Sequence, residues 1–186
     1  MLKQDRGRYW ENGSLTQAQK LSYATSANDP EGIRRLLPAD KDTLSRMLHV
    51  AARDGATESF AALVQAGANV HHKDDRGFSP LHTATRFGHT QIVTIATQKG
   101  ANVNTTNNRG RTPLHSALRH RRDETIPVLL STPGINTRCV DLKNDPALPS
   151  PAVSRASLLF QNHVQQKANP ADLPPAGLPS TQFRRG

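Results

Sequence analysis

Residues 76–104 read RGFSPLHTATRFGHTQIVTIATQKGANVN, and near copies of this stretch lie 33 residues to either side. Leu48-His49, Leu81-His82 and Leu114-His115 hold one register, as do Ala51, Ala84 and Ala117, and Gly67-Ala68-Asn69 returns as Gly100-Ala101-Asn102. A period of this length marks a repeat architecture, in which each unit is one supersecondary piece that cannot bury its apolar face alone. Stacking of neighbours is then obligatory.

Within the central copy, Gly77 permits a tight turn with positive φ, and Ser79-Pro80 reads as a helix start, with Ser as the cap and Pro in the first turn. Leu81, Ala84 and Thr85 share one face at helical spacing. Gly88 ends that helix in the left-handed conformation, and a second helix from about His89 carries Ile92, Val93 and Ala96 until Gly100 closes it. Short Ala84 and Ala117 let neighbouring helices approach closely, while Val103 and residues 104–109 form an extended turn between units. The expected unit is two antiparallel helices plus a hairpin-like finger, and the fold class is all-α.

The segments Gly77-Phe78-Ser79-Pro80-Leu81-His82-Thr83-Ala84 and Gly110-Arg111-Thr112-Pro113-Leu114-His115-Ser116-Ala117 resemble the ankyrin repeats, over about residues 44–136. The resemblance implies a solenoid of stacked helix pairs with β-hairpin-like fingers at right angles, a concave binding face, and a role in binding other proteins. About four repeats are expected over 15–140, in units of about 15–42, 43–73, 74–106 and 107–139. Leu21, Ala24, Ile33, Leu36 and Leu37 give the first unit, with Asn28 near the place of the turn glycine and too few residues at 38–42 for a full finger. In the second unit Arg46-Met47 stand where the family has Thr-Pro, so its first helix lacks the usual lock at its start. In the third, Ala96-Thr97 replace two large aliphatics, so the seam is expected to be thinner there. The fourth departs most: Arg121-Arg122 replace Gly88-His89, Pro127 requires its second helix to start at about residues 123–124, and this end of the stack is expected to be the softer.

Outside the repeats, residues 1–14 read as a flexible basic arm in which Tyr9-Trp10 is the adhesive feature. Val153, Ala156, Phe160 and Val164 share one helical face, so 141–172 reads either as a degenerate capping repeat or as a free amphipathic segment or linker. Residues 173–186 read as a disordered Pro-rich tail.

Composition narrows the function classes. The 186 residues are 35% apolar and only 4% aromatic, which suits a continuous seam of small aliphatic contacts. No apolar run approaches the ~18 residues of a membrane helix, and residues 1–10 are charged throughout with no leader-like core. With Cys139 the only cysteine, no intrachain disulfide forms. An intracellular protein, cytoplasmic or nuclear and without a membrane partner, is the expectation. Net charge is +9, from 24 basic and 15 acidic residues, which favours anionic partners.

His49, His82 and His115 recur at one phase, but stacked helices stand ~8–10 Å apart, too far for equivalent side chains to share one metal ion. They read as structural histidines that hydrogen-bond the turn, His71-His72 as a solvated finger pair, and Asp74 as the brace of the turn before Gly77. Adjacent carboxylates such as Asp74-Asp75 and Asp123-Glu124 need not face one another, and no catalytic motif spacing occurs. No catalytic, metal or cofactor site is expected. The informative pattern is Arg53, Arg86 and Arg119, at one phase and therefore in one row. The resemblance implies that this row lines the concave surface, together with Arg76, Phe78, Phe87, Arg109, Arg111 and His120. A cationic face with two exposed aromatics suits carboxylates or phosphates, although a solvated face of Arg stems covering helix surface is the plainer alternative. The expected function is non-catalytic binding of a partner protein's acidic segment by a monomer. The alternatives are nucleic-acid or other polyanion binding through the basic surface, and a fragment of a larger repeat protein without a partner of its own.

Overall fold

The structure is a computed structural model and describes residues 15–137, so the expectations for 1–14, Cys139, 141–172 and 173–186 lie outside the described residues. Eight helices follow one another there: α1 (Gln17–Ser26), α2 (Pro30–Arg35), α3 (Lys41–Asp54), α4 (Thr57–Gln65), α5 (Pro80–Phe87), α6 (Thr90–Gln98), α7 (Pro113–Arg119) and α8 (Thr125–Leu130), with no strand among the described residues. They pair into four units. First helices pack in the series α1, α3, α5, α7 and second helices in the series α2, α4, α6, α8, which makes two layers of a solenoid.

The seam between units is a set of ladders fixed by the period. Leu21, Leu48, Leu81 and Leu114 form one, Ala24, Ala51, Ala84 and Ala117 a second, and Ile33, Phe60, Val93 and Ile126 a third, with no member more than 1% exposed. Alanines at the second ladder let the first helices close on each other. Among the described residues Phe60 is the largest fully buried side chain, an aromatic in an otherwise aliphatic ladder. At the thin place, Ala96 is buried and the Thr97 hydroxyl donates to the Val93 and Thr94 carbonyls.

Helix starts follow from local chemistry. Ser79 and Thr112 cap α5 and α7, and His82 and His115 complete each capping box by accepting the N–H of Ser79 and of Thr112 through Nδ1, both at 3.1 Å. Because Nδ1 accepts, the proton sits on Nε2, and His82 Nε2 donates to the Arg111 carbonyl of the next finger at 2.8 Å. Here the expected structural role of these histidines is seen.

His49 corrects that expectation. α3 is not unlocked at its start. It begins at Lys41, more than a turn and a half before the place the repeat implies, where Asp40 Oδ1 accepts the Thr43 N–H at 2.7 Å, so Arg46-Met47 lie inside the helix. His49 therefore has no cap to complete. Its Nε2 meets Nδ1 of His72 on the following finger at 3.2 Å, and His72 Nε2 lies 3.5 Å from Asp42 Oδ1. Burial, and then the neighbouring His72, lowers the pKa of His49. Of the pair read as solvated loop, His71 is exposed and His72 is half-buried.

The turns between paired helices need a left-handed residue. Gly55 and Gly88 supply it with φ of 74° and 84°, and Asn28 and Arg121 stand at the equivalent places with φ of 52° each. Asn28 also accepts the Ser59 N–H at 2.9 Å, so it joins the first unit to the second. In the fingers, Asp74 Oδ1 accepts the N–H groups of Arg76 and Phe78, which makes it the expected brace. Fingers stack through Asn108, whose side chain approaches Gly77 so closely that a Cβ there would lie 2.3 Å from its Oδ1. In the last described unit α8 starts at Thr125, so Pro127 sits in its first turn and removes no helical hydrogen bond.

Candidate functional site

The residues grouped from sequence fall at two ends of the first helices. Arg53, Arg86, Phe87 and Arg119 stand at the C-terminal ends of α3, α5 and α7, with His120 directly after. Arg76 and Phe78 precede the cap of α5, and Arg109 and Arg111 precede that of α7. The eight residues of α5 separate the groups by about 12 Å at 1.5 Å per residue. The row of Arg53, Arg86 and Arg119 thus belongs to a turn group with Phe87 and His120, and Arg76, Phe78, Arg109 and Arg111 form a separate finger group.

In the finger group the backbone is committed to the fold. The Arg109 and Arg111 N–H groups donate to Asn107 Oδ1, and the Arg76 carbonyl accepts from the Asn108 N–H. Phe78 is half-buried, edge-on to the His82 ring with centroids 5.6 Å apart, so it is not one of two exposed aromatics. Among the described residues, the large exposed hydrophobics are Phe87, at 40%, and Tyr23, at 57%. Tyr23 escaped the sequence reading because it lies in the first unit, where the 33-residue period is not kept.

The turn group is electrostatically uneven. Arg53 Nε lies 2.8 Å from Asp54 Oδ1, and this contact raises the pKa of Arg53 and lowers that of Asp54, which also accepts from the Ser26 hydroxyl. By contrast Arg86, Arg119, Arg121 and Arg122 make no ion pair among the described residues. Their proximity shows at His120, whose pKa is lowered by partial burial and then by the charges of Arg86, Arg119 and Arg122. The Arg86 guanidinium lies 5.8 Å from the Phe87 ring centroid, and the His89 ring stacks on that ring at 6.3 Å. Beside Phe87, a cleft of about 300 Å³ is lined by Gly88, Arg121, Arg122, Asp123, Glu124 and Thr125 as well.

Arg121 and Arg122 were read from sequence as blemishes in the repeat. In the structure they belong to the basic edge. His89 Nε2 contacts the Arg53 carbonyl at 3.0 Å, and Arg122 Nε donates to the Arg86 carbonyl at 2.9 Å, so Arg122 does for its unit what His89 does for the previous one. Arg121 occupies the left-handed position that glycine occupies at Gly55 and Gly88. A left-handed non-glycine residue costs roughly 1–2 kcal/mol. Arg121→Gly is therefore expected to stabilise the chain by about 1 kcal/mol in urea unfolding; a loss of stability would show that the Arg121 side chain holds this turn.

Among the described residues no three His, Cys, Asp or Glu side chains gather as a metal site, and no helix is long and apolar enough to cross a membrane. No curated protein matches the chain. The family model described as ankyrin repeats, in three copies, matches residues 48–141, just over half of the 186. That match and the stacked helix pairs agree: the chain belongs to the ankyrin repeat family.

Proposed function

We propose that this chain is a non-catalytic binding module that holds an acidic segment of a partner protein on its basic surface. Ankyrin repeats mediate protein–protein interaction, which gives the class of function. The observation that carries the acidic partner is the set of guanidinium groups at Arg86, Arg119, Arg121 and Arg122 without carboxylate partners among the described residues, next to exposed Phe87. Such cations attract an anionic segment from a distance and make charge-assisted hydrogen bonds on contact. The adjoining ring adds apolar contact area of the kind that concentrates binding energy.

Affinity capture from lysate at low and high salt, with wild type beside a variant carrying Arg53→Glu, Arg86→Glu and Arg119→Glu, tests this reading. The expected result is a partner lost both in the variant and in high salt, because exposed charge contacts are screened beyond about 10 Å at 0.1 M salt. A partner retained in both would move binding away from these arginines. Capture of nucleic acid in place of protein would favour the polyanion alternative raised by the +9 charge.

A further inference from the structure

This inference rests on the acidic-partner reading and narrows it to one end of the helices. We infer that the acidic segment docks on the turn edge of the third and fourth units, with acidic side chains on Arg86, Arg119 and Arg122 and a neighbouring aliphatic side chain against the exposed Phe87 ring. Fingers and the Arg53 end of the row lie outside this footprint.

Several independent observations point the same way. Arg53 is paired with Asp54, and the equivalent position one unit earlier is the neutral Ser26, so along this row unpaired positive charge begins at Arg86. Arg122 is fixed in place through Nε to the Arg86 carbonyl, and its stem lies over Gly88, where a Cβ would come within 3.0 Å of Cδ. That anchoring leaves the two terminal nitrogens for a ligand and reduces the entropy lost on binding. The structural task at this position needs no permanent charge, since His89 performs it one unit earlier. Arg121 adds a cation from a strained left-handed residue, and strained backbone concentrates at sites of function.

Phe87 and the cleft decide what accompanies the acidic residues. An exposed ring flanked by Arg86 and His89 offers an apolar surface on an otherwise polar edge. The cleft of about 300 Å³ beside the ring is lined mostly by charged and polar side chains, so the aliphatic group packs on Phe87 and not inside the cleft. Asp123 and Glu124 line it as well, so the acidic residues of the segment are held to the arginine side.

Fluorescence anisotropy with a labelled peptide of Asp and Glu around one central Leu tests the footprint on the full chain at low salt. The turn-edge variant combines Arg119→Gln with Arg122→His, the second chosen because histidine makes the same carbonyl contact at position 89. The finger variant combines Arg76→Gln with Arg109→Gln, and circular dichroism melts of both check that each remains folded. The turn-edge variant is expected to bind about tenfold more weakly, and the finger variant within about twofold of wild type. Phe87→Ala is expected to weaken binding of the Leu peptide about fivefold and to leave a peptide with Gly in that place nearly unchanged. Weakening by the finger variant alone would overturn the footprint and leave the acidic-partner reading standing. No binding of the peptide by wild type would overturn both, as would tighter binding of a single-stranded oligonucleotide of equal charge.

Discussion

Phe60→Ala is expected to be the most damaging single core substitution in the stack, lowering stability by about 3–5 kcal/mol in urea denaturation. The side chain is fully buried and stands in the ladder between Ile33 and Val93, so its removal leaves a void faced by the units on either side. Helix caps and turns remain intact around that void, which limits its collapse. In a solenoid each unit is stabilised by its neighbours, so a weakened second unit uncouples the first from the third. The expected record by far-UV circular dichroism is a broadened, two-step transition in place of one cooperative step. Val93→Ala removes two methyl groups in the same ladder and is expected to cost about 2 kcal/mol, with cooperativity retained. A Phe60→Ala variant that loses less than Val93→Ala would show that the α4 layer can close over the space.

What the sequence made legible was whatever repeats. Leu48, Leu81 and Leu114 fixed the register, Ser79-Pro80 and Thr112-Pro113 fixed two helix starts, and Asn28 and Arg121 could be assigned to left-handed turns because glycine occupies that place in other units. Positions that break the repeat were harder. Asp40 moved the start of α3 and thereby released His49 toward His72, a contact between a helix and a finger that no spacing announces. Phe60 went unremarked because a seam of small aliphatic residues was expected. The basic residues were found by phase, but phase along the stack does not report height along a helix. Arg76 and Arg86 therefore belong to one unit and to opposite ends of it. Nor does phase reveal which cations are already paired: Arg53 meets the carboxylate next to it in sequence, and Arg86 does not.

His82 makes the second large effect one of acidity. It is fully buried, and burial drives its pKa from the usual 6.5 to about 4 despite the accepting Arg111 carbonyl. In the unfolded chain the same imidazole takes up a proton near pH 6.5, so between pH 6.5 and 4 the unfolded state binds more protons than the folded one. Stability is complete above about 6.5 and falls as pH drops toward 4, by roughly 3 kcal/mol from this group alone. The cause is visible in the geometry. A second proton would go on Nδ1, which accepts the Ser79 N–H, so protonation breaks the capping box of α5 as well as charging a buried ring. His49, also lowered, adds in the same direction below pH 6.5, whereas the lowered carboxylates of Asp40 and Asp54 act only as pH falls below their ordinary value of 3.8. Urea midpoints at pH 7.5, 6, 5 and 4.5 are expected to descend steadily in wild type. In His82→Gln the midpoint at pH 7.5 is expected to be lower and the descent shallower, because the group that titrates is gone. Parallel descents in the two proteins would remove His82 as the source and leave the half-buried His49 as the lowered imidazole to test next.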